Sequence, residues 1–171
     1  MNVADNLDMD ATLTIYIQPI DGPRFKYFEG QNKITDKARA HLMHLVADSP
    51  AVYSLNPITH FRVGSGGVGA NITGAETALA TEIAPAGNYT DTAIARSFSS
   101  SDRMCTFTFE LGPDDAVDLA ISEVGMFASN YWLNNNANGK MFNIKAFPEV
   151  IKTAAFSLVF VWKVNFSGVY A

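Results

Sequence analysis

The chain has 171 residues, of which 48% are hydrophobic and 17% charged, and its formal net charge is −5. That is the composition of a folded domain with a core of its own, and it excludes a disordered chain. The 12 Lys and Arg are scattered along the sequence, which excludes the basic stripe that a nucleic-acid partner requires.

From the N-terminus, residues 1–10 are polar and acidic and lack the basic and apolar regions of a secretory signal. Residues 12–18, TLTIYIQ, alternate like a strand and stop at Pro19 and the turn residues Asp21, Gly22 and Pro23. This run pairs as a hairpin with a second predicted strand at 24–29, or it is laid as an arm on a neighbouring subunit. In the second case Leu13, Ile15 and Ile17 are the contact residues, offering an apolar strand to a neighbour's sheet edge. The expected organisation is therefore residues 1–23 as an arm or edge strand and residues 24–171 as one β-rich domain.

The next segment predicts one α-helix over about 34–47. Thr35 is a good N-cap, Asp36 suits the positive end of the helix dipole, and Ala38, Leu42, Leu45 and Val46 share a face. Ser49-Pro50 ends it. Residues 58–63, ITHFRV, read as a strand, followed by a glycine-rich loop and then AETALATEI, a candidate short helix. Beyond it the pattern is that of a sheet. Strands are expected at 106–111, 116–121 and 140–147, and at 155–166, where Phe156, Leu158, Phe160, Trp162, Val164 and Phe166 share one face. One early helix followed by strands is not the βαβα order of a parallel nucleotide-binding sheet. It predicts a mainly β, antiparallel sandwich-like domain with one packed helix and an N-terminal arm.

The loop after the 58–63 strand is the one motif that suggests cofactor chemistry. Gly64, Gly66 and Gly69 spell G-x-G-x-x-G, and Gly64 and Gly69 have the spacing of a phosphate-binding loop. A phosphate-binding loop needs Lys and then Ser or Thr after its last glycine, and here Ala70 and Asn71 stand there. The dinucleotide fingerprint needs a helix opening at the loop, which ANITG does not favour. Gly64, Gly66, Gly67 and Gly69 are therefore expected to form a structural turn, with glycines at positive φ near another backbone, that holds no anion.

Other candidate chemistry is weaker. His41 and His44 lie three apart on the predicted helix but have no zincin partner, and His60 stands alone on a strand. Asp114, Asp115 and Asp118 lack calcium-loop spacing. Glu110 and Glu123 are possible acid and base with nothing to bring them together, Ser65 lacks a nucleophile elbow, and Cys105 reads as core. A lone cysteine excludes an intrachain disulfide. Tyr131 and Trp132, on an Asn-rich loop, are candidate partner contacts. No catalytic residue, metal or cofactor is expected.

A set of fragments in order carries one resemblance: KITDKARAHL, ITHFRVGSGG, ETALATEI, ISEVGMF, GKMFNIKAFPEVIKT and FSLVFVWKVNF. Over about residues 25–166 the chain resembles the N-terminal, baseplate-attaching domain of tailed-bacteriophage tail-collar and tail-fibre proteins. Thr77, Leu79 and Glu82 match its T-x-L-x-x-E segment, residues 123–127 its E-V/I-G-L/M-F strand, and Pro148 and Lys152 within FPEVIKT its proline and lysine. The resemblance implies a non-enzymatic virion protein, made in the host cytoplasm, that joins fibres to the baseplate or collar. With no shaft or receptor-binding tip before Ala171, an adaptor is expected, with a capsid decoration protein as the alternative within that class. A small ligand- or nucleotide-binding enzyme using the glycine-rich loop is the alternative of another class. Partners are expected to be protein only: copies of the chain in a trimer or ring and other virion proteins, not nucleic acid or membrane.

Overall fold

The computed structural model describes residues 8–35, 38, 58–68, 71–73, 75–76, 78–84, 95–128 and 140–167. Among these are nine strands: β1 (Asp8–Pro19), β2 (Phe25–Gln31), β3 (Lys33–Ile34), β4 (Ile58–Gly64), β5 (Ala95–Ser99), β6 (Met104–Leu111), β7 (Ala120–Ala128), β8 (Lys140–Ile151) and β9 (Phe156–Ser167). They form a five-stranded sheet, β2-β1-β9-β6-β5, and a four-stranded sheet, β3-β8-β7-β4. Every pairing is antiparallel.

The two sheets pack face to face, as alternation dictates. On β9, Leu158, Phe160, Trp162 and Val164 are buried in one cluster with Leu13 and Ile15 of β1, Phe107 and Phe109 of β6, and Phe61, Val124 and Met126 of the second sheet. Phe61 and Phe109 stack across the interface with ring centres 5.1 Å apart, and Trp162 lies 5.4 Å from Phe61. Each of these large side chains contributes about 1.5–3 kcal/mol through burial, before chain entropy is subtracted. This is the mainly β, antiparallel sandwich that the alternating runs predict.

Five expectations are corrected. β1 makes the hairpin with β2 and is not an arm, nor is it an edge strand: it lies between β2 and β9, paired along its whole length with β9. Leu13 and Ile15 are fully buried in the chain's own core and Ile17 packs against it, so they are not free to contact a partner. Residues 116–118 belong to a turn; the strand read there begins at Ala120. The described part of AETALATEI is irregular, with one bridge at Glu82, and is not helical. Ile34 belongs to β3.

Most of the predicted helix lies outside the described residues. Its expected cap does not: the Ala38 N–H donates to Thr35 Oγ1 at 3.2 Å, the bond an N-cap threonine makes. Thr35 is itself anchored, its hydroxyl donating to the Met141 carbonyl at 2.6 Å.

Candidate functional site

The glycine-rich loop leaves the end of β4 and folds over the outer face of the four-stranded sheet. Gly64 pairs in register with Glu123 of β7. Because neighbouring residues alternate faces, Val124 points into the sandwich and Glu123 points outward, beneath the loop. There its carboxylate is buried. Oε1 accepts the N–H groups of Gly66 at 3.1 Å and Thr81 at 2.8 Å, and Oε2 accepts that of Ala80 at 3.0 Å. The adjacent Ser122 Oγ accepts the Gly67 N–H at 3.0 Å. A buried carboxylate is costly unless charge-assisted hydrogen bonds surround it, and here three backbone donors do so.

The loop thus does hold an anion, one supplied by the protein itself, which corrects the expectation of a turn that holds none. Gly64, Gly66 and Gly67 are needed for close approach, not for positive φ: among the described residues only Gly22 is a glycine with positive φ. A Cβ on Gly67 would overlap the Ser122 carbonyl, and one on Gly64 would overlap Glu123 Oε1 and the Thr81 carbonyl.

The second half of the loop completes the unit. Ser65 N–H donates to the Thr81 carbonyl and Ile83 N–H to the Val63 carbonyl, each at 2.9 Å. Arg62 and Glu82 form an ion pair at 3.0 Å, with the Arg62 guanidinium 5.3 Å from the Phe127 ring centre. Leu79 is buried against Phe127, Met141 and Ile144, so this segment caps the sheet's outer face.

Beside the loop, β8 bulges. Between the pairs Ile121↔Val150 and Glu123↔Ala146, β7 advances two residues while β8 advances four. The bulge carries Pro148, which cannot donate a ladder hydrogen bond. The Tyr27 hydroxyl of β2 lies 3.2 Å from the Pro148 carbonyl and 3.0 Å from the Glu149 carbonyl, tying the two sheets together at this edge. An open groove of about 560 Å³ runs between loop and bulge, lined by residues including Phe28, Val68, Lys145, Phe147 and Glu149.

Lys152, just past the bulge, is the second buried charge. Its ammonium donates to the carbonyls of Pro113 at 3.0 Å and Thr153 at 2.8 Å, and lies 5.3 Å from the Phe156 ring centre. Burial pulls its pKa below the ordinary lysine value, and the Asp115 and Asp114 carboxylates oppose that shift. Its backbone receives the Asp118 N–H at 2.7 Å and donates to the Leu119 carbonyl at 3.0 Å. These bonds pin a turn in which Ala116 (φ 50°) and Asp118 (φ 61°) adopt the left-handed conformation. That conformation costs about 1–2 kcal/mol for a residue with a side chain.

In comparisons with protein-family models, curated proteins and solved structures, nothing matches this chain.

The remaining sequence candidates among the described residues are not gathered into one place. Glu110 is exposed on β6, in the five-stranded sheet, whereas Glu123 belongs to the other sheet, so they form no acid–base pair. Asp115 Oδ2 accepts the Gly112 N–H at 2.8 Å within its turn. Among the described residues no three His, Cys, Asp or Glu side chains are grouped to hold a metal. Cys105 is half-buried against the core, and burial raises its thiol pKa while Arg96 opposes the rise. Gly69, His41, His44, Tyr131 and Trp132 lie outside the described residues. The roles of Tyr27 and Ser122, and strand β5, were not foreseen from the sequence. Lys152 stands in the sequence only as a member of a short motif, and Glu123 as a motif member and one half of the possible acid–base pair.

Proposed function

We propose that the protein is a structural part of a tailed-bacteriophage particle, a tail, baseplate or collar component acting as an assembly adaptor for fibres. The observation that carries this reading is the interlock of Glu123 with the glycine-rich loop. ISEVGMF supplies the carboxylate, ITHFRVGSGG supplies Gly66, and ETALATEI supplies Ala80 and Thr81. Three fragments that carry the resemblance therefore build one unit through their own polar groups. A fourth, containing FPEVIKT, supplies the bulge and buried Lys152.

This arrangement suits a part that holds its shape while partners dock. It suits phosphate binding poorly. The N–H groups of Gly66, Ala80 and Thr81 already hold a carboxylate, and a nucleotide would have to displace a buried anion of like charge. The partners in this reading are further copies of the chain and other virion proteins.

Mass spectrometry of density-gradient-purified particles from the phage encoding this chain tests the proposal. Its peptides are expected in intact particles and in the isolated tail fraction. Recovery from the lysate alone, with none in particles, would overturn it.

A further inference from the structure

β5 ends the five-stranded sheet, and among the described residues no strand pairs with its outer side. Its register places Arg96 opposite Phe107 and Phe98 opposite Cys105. Directly paired residues share a face of the sheet, and Phe107 points into the core. Arg96 and Phe98 therefore lie on the inner face, yet both are exposed, Phe98 by 72%. The sandwich leaves this strand exposed, and an aromatic ring stands in solvent beside a backbone edge that no strand among the described residues pairs with.

We propose that the outer edge of β5 pairs with β5 of a second copy of this chain, antiparallel about a two-fold axis through Ser97. This goes beyond the virion reading and holds whatever larger assembly the chain joins. The sequence ARSFS is complementary to itself in that register. Ser97 faces its symmetry mate, Ala95 faces Ser99, and each Arg96 faces the partner copy's phenylalanine at position 98. Two guanidinium–aromatic contacts form for one strand pair, on the side where both groups are now exposed. The pairing also satisfies a row of backbone donors and acceptors and joins two five-stranded sheets into one of ten.

The opposite edge of the sheet, β2, is less suited. Between the pairs Ile15↔Phe28 and Tyr16↔Lys26 it carries one extra residue, Tyr27, so its edge is bulged, and bulges turn an edge away from pairing. The β5 register with β6 runs without interruption.

Sedimentation velocity across a concentration series, with the full chain, tests this. Wild type is expected to dimerise reversibly. Phe98→Lys sets two cations against each other and is expected to weaken the dimer more than about tenfold while the circular-dichroism spectrum of the folded chain stays unchanged. Adding Arg96→Glu to it restores opposite charges across the axis and is expected to restore the dimer.

A second measurement does not depend on those variants folding. With Cys105→Ser to remove the native thiol, Ser97→Cys is expected to give a disulfide-linked dimer on mild oxidation. Cα atoms facing each other across such a pair lie about 4.5–5.5 Å apart, within disulfide reach. Ala95→Cys in the same background, which faces position 99 and not itself, is expected to cross-link far less. A wild-type monomer at every concentration would overturn the proposal. So would a dimer that Phe98→Lys leaves intact, or one in which Ala95→Cys cross-links as readily as Ser97→Cys.

Discussion

The Gly66 N–H donates to Glu123 Oε1 at 3.1 Å across 57 residues of sequence. With the Ala80 and Thr81 N–H groups, this bond fixes the loop to β7. Glu123→Gln keeps the size but removes the charge, and its NH₂ group meets donors where an acceptor is needed. The expected loss is about 1–3 kcal/mol of unfolding free energy, read from urea denaturation. Gly67→Ala is expected to cost more, because the added methyl overlaps the Ser122 carbonyl. An unchanged urea midpoint in both variants would contradict the latch.

Leu13 sits in β1 with Trp162 on one side and Gly30 on the other. Leu13→Ala is expected to destabilise by about 2–5 kcal/mol, the range for a cavity in a well-packed core. Removing β1 altogether should abolish cooperative unfolding in calorimetry. A truncated chain that still melts sharply would return β1 to the role of a detachable arm.

Lys152 gives a pH signature. Its folded pKa lies below its unfolded one because burial penalises the charge. Between the two values the native state binds fewer protons than the unfolded state, so stability rises with pH across that window. Relative to Lys152→Met, wild type should gain stability as pH climbs from below toward about 10.4, the ordinary lysine value. Equilibrium denaturation of both proteins along that series measures the difference. A difference that stays flat or falls would contradict the burial of a charged amine.

The Tyr27 hydroxyl is the tie between β2 and the β8 bulge. Tyr27→Phe should cost about 0.5–1.5 kcal/mol, one hydrogen bond at a partly exposed position. Amide hydrogen exchange should quicken within Phe147–Ile151 and remain slow in β9. Uniform protection equal to wild type would show that the tie does not hold the bulge.

Much of the fold was legible because period-two alternation reports directly which face is buried. That holds for β6 and above all for β9, where the even positions from 158 to 164 all enter the core. Alternation does not say which strand lies alongside, so TLTIYIQ reads equally well as an arm and as an edge strand in a hairpin, and neither reading places β9 on its other side. Val117, Leu119 and Ile121 continued the pattern through a turn, and nothing local announced that Ala116 and Asp118 would be left-handed. β5 was missed because both its faces are largely exposed and RSFSS has no apolar rhythm. The glycine-rich loop could be stripped of its phosphate reading from Ala70 and Asn71. Its true anion could not be found, since a glutamate in an outward-facing strand position looks like any solvated one until the covering loop is known.

The most direct test of the account is a titration of the ¹⁵N-labelled protein with inorganic phosphate, ATP and NAD, following the amide signals of Gly66, Ala80 and Thr81. These three groups are bound to Glu123, so their resonances should stay in place through millimolar ligand. A saturable movement of all three with any one of these ligands would show that the loop exchanges its own carboxylate for a phosphate, and the structural reading would fail.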